Sequence, residues 1–406
     1  MKIVLAHNFY RSSIPSGENA VYAQEKALME RKGHRVVEFV RHSDDLVRMG
    51  KVGAVKAALC TPWNPFARRE LRRLLMREKP DILHVHNVFP LLSPSIFHAA
   101  RNLPVATVLT LHNYRVFCAV GTVFRNREPC TECLDRGDVR MALRYGCYRE
   151  SRLATIPPAT MIALHRWLGT WSHRVDAFIA LTSFQAARMS EAGLASEIIH
   201  VKPNFLEPDS LPPRIEGTRK GNALFVGRLS GEKGVGVAID AWSAMGDAAP
   251  PLEIAGDGPE RKSLEGKVSR LGLNGKIGFL GQRERHDVLR RMSGAPFLVV
   301  PSLCYEGLPV TILEAFASGT PVVASRLGPL PDLVREGETG RLFTPDDPVD
   351  LASVVMDLIR HPDRLAMMGR TAREVYEANY TPEANHARIQ EIYLRAIREK
   401  GNRRTR

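Results

Sequence analysis

The chain has 406 residues, of which 44% are hydrophobic and 25% are charged, and its formal net charge is +13. This length is about two to three times that of a typical domain, so we expect two domains, each with its own core. No apolar run approaches the roughly 18 to 20 residues that a membrane-spanning helix needs, which argues against a helical integral membrane protein. His7 and Asn8 end the short apolar run Ile3–Ala6, so the amino terminus does not resemble a signal peptide and we expect the chain to fold in the cytoplasm.

The positive charge is concentrated in the amino-terminal half. Residues 1–205 contain 29 Lys and Arg against 17 Asp and Glu, whereas residues 206–406 contain 28 against 27. A basic protein can bind nucleic acid, but this sequence has no recognition motif for it and no regular interleaving of aromatic and basic residues. An anionic membrane surface is the better match, because each nearby Lys or Arg contributes about 1 kcal/mol. We expect such docking at the inner face of the plasma membrane.

One predicted helix, Pro65–Lys79, carries this charge in a pattern that suits a membrane surface. Its apolar residues are predicted to share one face and its arginines the other. The apolar set is Phe66, Leu71, Leu74 and Leu75, and the basic set is Arg68, Arg69, Arg72, Arg73 and Arg77. The alternative is an ordinary surface helix that packs its leucines against a sheet. The two interpretations are compatible if the arginines remain exposed at the protein surface.

Predicted strands and helices alternate along residues 1–202, which indicates a parallel sheet with right-handed crossovers. The predicted strands are Lys2–Ala6, Arg35–Val40, Asp81–Asn87, Val105–Leu111, Ala177–Leu181 and Ile198–Lys202. The predicted helices are Ala20–Arg31, Pro65–Lys79 and Phe184–Glu191.

Three residues at predicted strand ends are the binding candidates of this half. Gly17 lies in the predicted loop His7–Asn19, where a glycine lets the backbone approach a phosphate or a sugar. His86 and His112 lie at the carboxyl ends of predicted strands, at the sheet edge where such folds bind ligands. A histidine at a strand end can also be structural, and we expect that of either His84 or His86.

Four of the six cysteines fall within thirty residues, in a segment of about 113–151 that follows the His112 strand. They are Cys118, Cys130, Cys133 and Cys147. Such a cluster with one C-x-x-C pair can bind structural zinc, although a second C-x-x-C pair is missing. Incidental thiols in a lid and a redox-sensitive pair are the alternatives, and disulfides are not expected in a reducing cytoplasm. We interpret the segment as an insertion over a substrate-binding cleft, with arginines that suit a phosphorylated substrate.

In the second half, a glycine-punctuated loop follows the predicted strand Ala223–Gly227. This loop carries Arg228 and Lys233, and a guanidinium and an ammonium placed there could clamp a diphosphate. The segment Leu252–Pro259 is another predicted strand that ends in a glycine turn. The carboxyl ends of parallel strands meet at one crevice, so we expect these loops to converge.

The segment Glu306–Ala324 adds a third loop to that crevice. It follows the predicted strand Phe297–Pro301 and opens a helix with Pro309 at the first helical position, where its missing N–H costs nothing. The free N–H groups of the first turn can hold an anion. Glu306 and Glu314 flank them, and carboxylates there suit the sugar hydroxyls on either side of a diphosphate. The alternative is an ordinary crossover helix whose glutamates are solvated.

In this order and spacing, GRLSGEKGV, AGDGP and EGLPVTILEAFASGTPVVA resemble the nucleotide-binding half of glycosyltransferase family 4, a group of retaining enzymes. The resemblance implies the α/β fold called GT-B, with two facing Rossmann-like doubly wound parallel-sheet domains and an interdomain cleft. It also implies that Arg228 and Lys233 bind the diphosphate of a sugar nucleotide. By the same likeness Glu314 binds the ribose hydroxyls, and Glu306 binds hydroxyls of the donor sugar.

Further contacts follow from the same resemblance. The N–H groups around Gly307 and Leu308 would meet the phosphates, and His112 would reach the donor sugar. The family's first strand-end loop usually carries two adjacent glycines, and Ser16 and Gly17 stand there in this chain.

The predicted domains follow from a linker and from the GT-B likeness. Residues 203–221 contain four prolines and no periodic pattern, which is typical of a linker. We therefore predict an acceptor-binding domain over 1–205 and a nucleotide-sugar-binding domain over 206–381. The resemblance implies that a last helix, 382–400, crosses back to the first domain.

The predicted activity is transfer of a hexosyl group from a nucleoside diphosphate sugar to a glycan or lipid-linked acceptor, with retention, in the biosynthesis of cell-surface polysaccharide or glycolipid. Catalytic roles are predicted for His112, Arg228, Lys233 and Glu306. The two cations would stabilise the leaving phosphate, so no divalent metal is expected. Two alternatives remain, a sugar-nucleotide epimerase of the same fold and a non-catalytic protein that binds membranes or polyanions. Base recognition is predicted near Gly281–Arg283, and the sequence does not indicate which base is bound.

Overall fold

The structure, a computed structural model, describes residues 1–13, 16–207 and 221–405. Pro208, Pro212 and Pro213 of the predicted linker lie outside the described residues. Internal contacts divide the chain into two units. The amino-terminal unit comprises Met1–Val123, Cys130–Asn204 and Asn385–Arg406, and the carboxy-terminal unit comprises Phe124–Pro129 and Phe205–Ala384.

Each unit contains a six-stranded sheet in which all strands are parallel. The strands are β1 Lys2–Phe9, β2 Arg35–His42, β3 Ile82–Asn87, β4 Ala106–Leu111, β5 Phe124–Arg125, β6 Glu128–Pro129, β7 Ala177–Ala180, β8 Ile199–Val201, β9 Ala223–Val226, β10 Leu252–Ala255, β11 Ile277–Gly281, β12 Leu298–Val300, β13 Val322–Ser325 and β14 Gly340–Phe343. The first sheet has the order β2-β1-β3-β4-β7-β8 and the second has the order β11-β10-β9-β12-β13-β14. The remaining two strands, β5 and β6, form a small antiparallel pair.

Helices connect the strands in both units. They are α1 Gly17–Arg31, α2 Asp44–Arg48, α3 Gly50–Cys60, α4 Pro65–Glu78, α5 Glu132–Asp135, α6 Arg140–Tyr145, α7 Arg152–Trp167, α8 Thr170–His173, α9 Ser183–Glu191, α10 Val235–Met245, α11 Arg261–Arg270, α12 Arg285–Gly294, α13 Val310–Ala317, α14 Leu330–Leu333, α15 Pro348–Arg360, α16 Pro362–Asn379 and α17 Pro382–Thr405. Short 3-10 turns also occur, the longest of which is Pro94–Ala100.

The strand order of each sheet reverses at one point, and that point determines where a ligand can enter. In the carboxy-terminal unit the chain winds outward from β9 to β11 on one side and from β12 to β14 on the other. In the amino-terminal unit the reversal lies between β1 and β3. Open parallel sheets bind ligands beyond the carboxyl ends of the strands at such a reversal. The prediction of doubly wound parallel sheets is confirmed.

The last helix, α17, completes the core of the amino-terminal unit. Ile389, Ile392 and Tyr393 are buried in one apolar cluster with Ile3 and Leu5 of β1. Asn385 donates a hydrogen bond to the carbonyl oxygen of Pro203 over 2.8 Å. This unit is therefore assembled from both ends of the chain.

A fully buried ion pair lies in the same unit. Lys202 follows β8 and Glu25 lies on α1, and each is only 1% exposed. Lys202 Nζ is 2.8 Å from Glu25 Oε2. Two charges withdrawn from water are tolerated only when they compensate each other, so removal of one partner is far more costly than removal of both.

Several predicted elements differ from those observed. Helix α1 begins at Gly17 rather than at Ala20, because the Ser16 side chain caps it by accepting a hydrogen bond from the backbone N–H of Asn19. Gly17 therefore occupies the first helical turn and not a loop. Helix α7 was not predicted, since Pro157 and Pro158 in its interior are typical helix breakers.

The predicted apolar face of α4 is partly wrong. Leu71 and Leu75 are buried, as a helix that packs its leucines requires, but Phe66 is 77% exposed. Phe66 is the second residue of the helix, beside the Asn64 cap, and it extends into solvent. Among the described residues, no helix combines the length and the apolar composition that crossing a bilayer requires.

Replacement of Lys202 by methionine tests the cost of the buried pair. A lone Glu25 carboxylate would remain in the core, so we expect the Lys202→Met variant to lose about 3–5 kcal/mol of unfolding free energy in the amino-terminal unit. Calorimetry and urea titration would measure this loss. The Glu25→Met/Lys202→Met double variant removes both charges and should recover most of it. The matched surface control is Lys26→Met, because Lys26 lies 3.2 Å from the exposed Glu38 and should contribute less than about 1 kcal/mol. Equal losses for Lys202→Met and Lys26→Met would contradict the prediction.

Candidate active site

Three loops of the carboxy-terminal unit converge where its strand order reverses. The loop after β9 hydrogen-bonds to the loop after β12, with Leu303 N donating to Glu232 O over 2.8 Å. It also bonds to the loop after β10, with Leu229 N donating to Asp257 O over 3.0 Å. The backbones of these loops are in close contact where the loops meet. A Cβ at Gly234, whose φ is +66°, would lie 1.8 Å from Pro301 O, and a Cβ at Gly256 would lie 1.8 Å from Gly227 O. Only glycine permits this packing.

An ion pair between Lys233 and Glu306 joins two of these loops. Lys233 Nζ lies 2.7 Å and 2.9 Å from the two carboxylate oxygens of Glu306. Ser302 donates a further hydrogen bond to Glu306 Oε1 over 2.6 Å. Burial would lower the pKa of Lys233, but the Glu306 carboxylate outweighs it and the pKa is raised. Lys233 is therefore a fixed positive charge.

Arg228, in contrast, extends into solvent from the same loop. Its side chain is exposed, and no carboxylate of the described chain pairs with it. An uncompensated guanidinium near a second cation can bind an anionic group without first breaking an ion pair.

Helix α13 directs its amino end at this region. The helix begins at Val310, and Pro309 is the N-cap with a φ of −62° and a ψ of 112°. The prediction of Pro309 as the first helical residue is therefore wrong by one position, since its ψ is extended. No side chain caps this terminus. Gly307 and Leu308 form the turn just before it, so backbone N–H groups of the turn are available to an anion.

Glu314 lies one turn into α13 and is buried beside an arginine. Arg285, at the start of α12, lies 3.2 Å from Glu314 Oε1. Burial raises the pKa of Glu314, and Arg285 partly opposes that shift. The carboxylate therefore has a cationic partner on a neighbouring element.

The predicted residues of the amino-terminal unit gather at the carboxyl edge of its sheet. Gly17 opens α1 after β1, and His112 follows β4. The two loops are joined by a hydrogen bond from Asn113 Nδ2 to Glu18 Oε1 over 2.7 Å. His112 Nε2 also lies 3.0 Å from Nδ1 of His86, at the end of β3.

His84 is enclosed in the core of the same unit. Its Nδ1 lies 2.7 Å from the Tyr393 hydroxyl and its Nε2 lies 2.8 Å from the Thr110 hydroxyl. Burial holds the pKa of His84 well below its usual range. It is therefore a neutral, fully hydrogen-bonded core residue.

Glu25, His84 and His86 bring three potential metal-ligand atoms within 4.8 Å of one another. Their surroundings do not suit a cation. The Lys202 ammonium already neutralises Glu25, and both nitrogens of His84 have hydroxyl partners. A metal ion there would face an adjacent buried positive charge.

The four clustered cysteines are free thiols. Cys133 and Cys147 pack against one apolar cluster that includes Phe89 and Ile162. Burial raises the pKa of Cys133 to about 12, with smaller contributions from Cys118, Cys147 and Cys130. No three of these thiols come within 4.8 Å of one another in the described structure. Zinc at this cluster stays a prediction.

Two family descriptions match nearly consecutive parts of the chain. "Glycosyltransferase Family 4" matches residues 17–210, and "Glycosyl transferases group 1" matches residues 214–375. The chain belongs to the group 1 glycosyltransferases. The sequence-based prediction of the family is confirmed, and the protein is a glycosyltransferase of class EC 2.4.

Relatives of this glycosyltransferase include enzymes with different substrates. It is 27% identical over 331 residues to 2-deoxystreptamine glucosyltransferase of Streptomyces kanamyceticus, covering 77% of this chain and 76% of that one. It is 25% identical over 371 residues to phosphatidyl-myo-inositol mannosyltransferase of Mycobacterium leprae, covering 87% and 86%.

Solved structures support the fold of this glycosyltransferase. HepE of Anabaena in complex with UDP aligns with a TM-score of 0.66 at 18% identity, covering 96% of this chain and 99% of that one. Sucrose-phosphate synthase of Thermosynechococcus elongatus aligns with a TM-score of 0.68 at 17% identity, covering 96% and 98%. With the two parallel sheets, these alignments confirm the predicted GT-B fold.

The candidate site contains two polar partners that the sequence alone did not reveal. Ser302 and Arg285 hold the two glutamates in place, yet neither belongs to the quoted motifs. Ser302 lies just before Glu306, on the same loop, and its position could have suggested a role. Arg285 comes from another helix, and its contact with Glu314 is visible only in three dimensions.

Proposed function

We propose that this glycosyltransferase moves a hexosyl group from a nucleoside diphosphate sugar to a hydroxyl of a glycan or lipid-linked acceptor. We propose retention of configuration and no requirement for a divalent metal. The observation that carries the proposal is the Lys233–Glu306 ion pair, in which a fixed cation and a carboxylate lie side by side where the strand order of the sheet reverses.

The cations would act on the diphosphate. As the bond between the anomeric carbon and the phosphate oxygen breaks, negative charge develops on the leaving nucleoside diphosphate. Lys233, Arg228 and the N–H groups around Gly307 and Leu308 would stabilise that charge. Lys233 is held by Glu306 before the reaction, and together with Arg228 and the backbone N–H groups it would replace a divalent metal in this role.

The carboxylates would orient the rest of the donor. Glu306 would accept hydrogen bonds from hydroxyls of the transferred sugar, while Lys233 holds its position. Glu314 would accept hydrogen bonds from the ribose hydroxyls. Gly17 and His112, from the amino-terminal unit, are proposed to contact the phosphate and the sugar respectively.

Retention would follow from attack on the same face as departure. In this step the bond from the anomeric carbon to the leaving phosphate breaks, and the bond to the acceptor oxygen forms. The acceptor hydroxyl proton passes to the leaving phosphate oxygen, so no protein base is consumed.

Relatives support a nucleotide-sugar donor. HepE was solved with UDP and with UDP-glucose, and the curated relatives include a glucosyltransferase and a mannosyltransferase. We propose that the acceptor belongs to the biosynthesis of cell-surface polysaccharide or glycolipid.

Donor binding tests the proposal directly. We expect one member of a panel of UDP-, GDP- and ADP-sugars to raise the melting temperature, since a ligand at 100 times its Kd stabilises the fold by about 2.7 kcal/mol. The shift should persist in EDTA. Product analysis with and without acceptor would then separate transfer from epimerisation. No shift with any sugar nucleotide would contradict the proposal.

Neutralisation of the phosphate-binding cations should affect the chemical step. We expect Lys233→Ala or Arg228→Ala to cost roughly 2–4 kcal/mol of transition-state stabilisation, a loss of about 30- to 1,000-fold in kcat. Steady-state kinetics with the donor identified above would measure it. The control is Lys262→Ala, an exposed lysine of α11 outside the converging loops. Near-normal turnover of Lys233→Ala would disprove its assigned role.

We also propose that the amino-terminal unit docks on an anionic membrane surface. Helix α3 exposes three apolar residues on one face, Val52, Val55 and Leu59, which are 66%, 59% and 72% exposed. Exposed Lys51 and Lys56 accompany them, and exposed Phe66 lies at the start of α4 among arginines. An apolar stripe bordered by cations suits a bilayer interface that carries negative charge.

Vesicle sedimentation tests this surface. We expect binding to vesicles with anionic lipid and little binding to neutral vesicles, because each Lys or Arg near the surface contributes about 1 kcal/mol. A Val55→Ser/Leu59→Ser variant should bind more weakly by tenfold or more, because apolar area that would insert is lost. The matched control is Val349→Ser, since Val349 is 69% exposed in the carboxy-terminal unit. Equal effects of the two substitutions would disprove docking through α3.

A further inference from the structure

A continuous row of polar groups leads from the buried ion pair to His112. Lys202 Nζ lies 2.8 Å from Glu25 Oε2, and Glu25 Oε1 lies 3.4 Å from His86 Nε2. His86 Nδ1 in turn lies 3.0 Å from His112 Nε2. All of these groups belong to the amino-terminal unit, and His86 is only 3% exposed. Such a costly buried arrangement directly behind a candidate substrate-binding histidine calls for a chemical explanation.

Glu25 determines the direction of the first hydrogen bond. Burial would raise its pKa, but Lys202 and His86 outweigh burial and keep that pKa well below its usual range. A carboxylate only accepts hydrogen bonds. Neither Glu25 Oε1 nor His86 Nε2 makes a hydrogen bond of ordinary geometry in the described structure, and the two buried atoms lie 3.4 Å apart. The distance of 3.4 Å is long for a hydrogen bond, yet the polarity is clear, because His86 Nε2 must carry the proton.

His84 does not compete for this role. Its Nδ1 lies 3.3 Å from Glu25 Oε1, but the Tyr393 hydroxyl is closer at 2.7 Å. With Glu25 as the acceptor, the His86 proton lies on Nε2, and its Nδ1 presents a lone pair to His112 Nε2, which is 3.0 Å away.

The same reasoning then determines which ring nitrogen of His112 carries the proton. Burial holds the pKa of His112 well below its usual range, so the ring is neutral. Its Nε2 faces an acceptor, His86 Nδ1, and must carry the single ring proton. The opposite nitrogen, Nδ1, has no hydrogen-bond partner in the described part of the chain, and His112 itself is partly exposed.

We propose that Glu25, acting through His86, fixes the tautomer of His112 so that its Nδ1 presents a lone pair to the substrate. His112 then recognises a hydroxyl group that donates a hydrogen bond and rejects a group that can only accept one. Glu25 and His86 are positioning residues, because neither contacts substrate in this role. The identity of that substrate rests on the proposed function, but the tautomer itself does not.

Nitrogen NMR of the protein labelled with 15N-histidine reads the tautomer without any substrate. Long-range proton–nitrogen correlations distinguish the two forms, and the His112→Asn variant assigns the signal. We expect His112 to carry its proton on Nε2. A proton on Nδ1, or on both nitrogens at neutral pH, would overturn the proposal, and this measurement needs only the unmodified chain.

Variants then test whether Glu25 is the cause. The Glu25→Met/Lys202→Met variant removes the carboxylate and its counter-charge together, which preserves the neutrality of the core. We expect the ratio of the two His112 tautomers to change by at least about tenfold, because a hydrogen bond to a charged group is lost. The control is Lys26→Met, which removes a surface charge from the same helix outside the row, and it should leave the ratio unchanged. An unchanged ratio in the double variant would overturn the proposal.

Failure of the proposed function would look different. A chain that turns over no sugar nucleotide but shows the Nε2-protonated His112, sensitive to the double substitution, would disprove the donor and support the tautomer. Normal turnover of a sugar nucleotide, with a His112 tautomer that does not respond to the double substitution, would support the donor and disprove the tautomer proposal. If a donor sugar is turned over, its kcat/KM can be compared with that of the deoxyfluoro analogue, in which fluorine replaces the hydroxyl and cannot donate a hydrogen bond. The double variant should discriminate less between the two than the unmodified protein does.

Discussion

Parallel strand pairing is the constraint on which both units depend. It carries the carboxyl end of every strand to one edge, so residues far apart in sequence become neighbours there. Lys233 and Glu306 meet because their loops leave β9 and β12 on either side of the reversal in strand order. His86 and His112 meet for the same reason at the ends of β3 and β4. The sheets bring the strand-end loops to one edge, and glycines then allow the backbones of these loops to pack in direct contact.

The two units use charge in opposite ways. In the carboxy-terminal unit, Arg228 and Lys233 lie at or near the surface, where positive charge can respond to an incoming anion. In the amino-terminal unit, Lys202 and Glu25 are sealed in the core, where their charges cannot meet a ligand and can act only through neighbouring groups. In the proposed mechanism the surface cations bind the donor, and the buried pair orients His112 through His86.

Local sequence was sufficient for much of this architecture but not for its cross-links. Motifs such as GRLSGEKGV combine a strand, a glycine turn and a helix start within a few residues, so they predicted the phosphate loop and the family. Contacts between distant segments left no such local trace. Arg285 meets Glu314, and Lys202 meets Glu25, only after the crossovers are folded. Helix starts also depend on local capping hydrogen bonds and backbone angles, which sequence patterns do not define. The predicted starts of α1 and α13 were therefore wrong by three residues and by one residue.

The composition of the amino-terminal unit has a consequence for the order of folding. Its core includes Ile389, Ile392 and Tyr393 of α17 as well as strand β1, so it cannot be completed until α17 has left the ribosome. Residues 205–384 emerge earlier and can close their own sheet first. The strands of the amino-terminal unit are thus synthesised first, but their core is completed only after α17 has been made. A fragment cut after residue 204 would lack that helix and expose the apolar face that it covers.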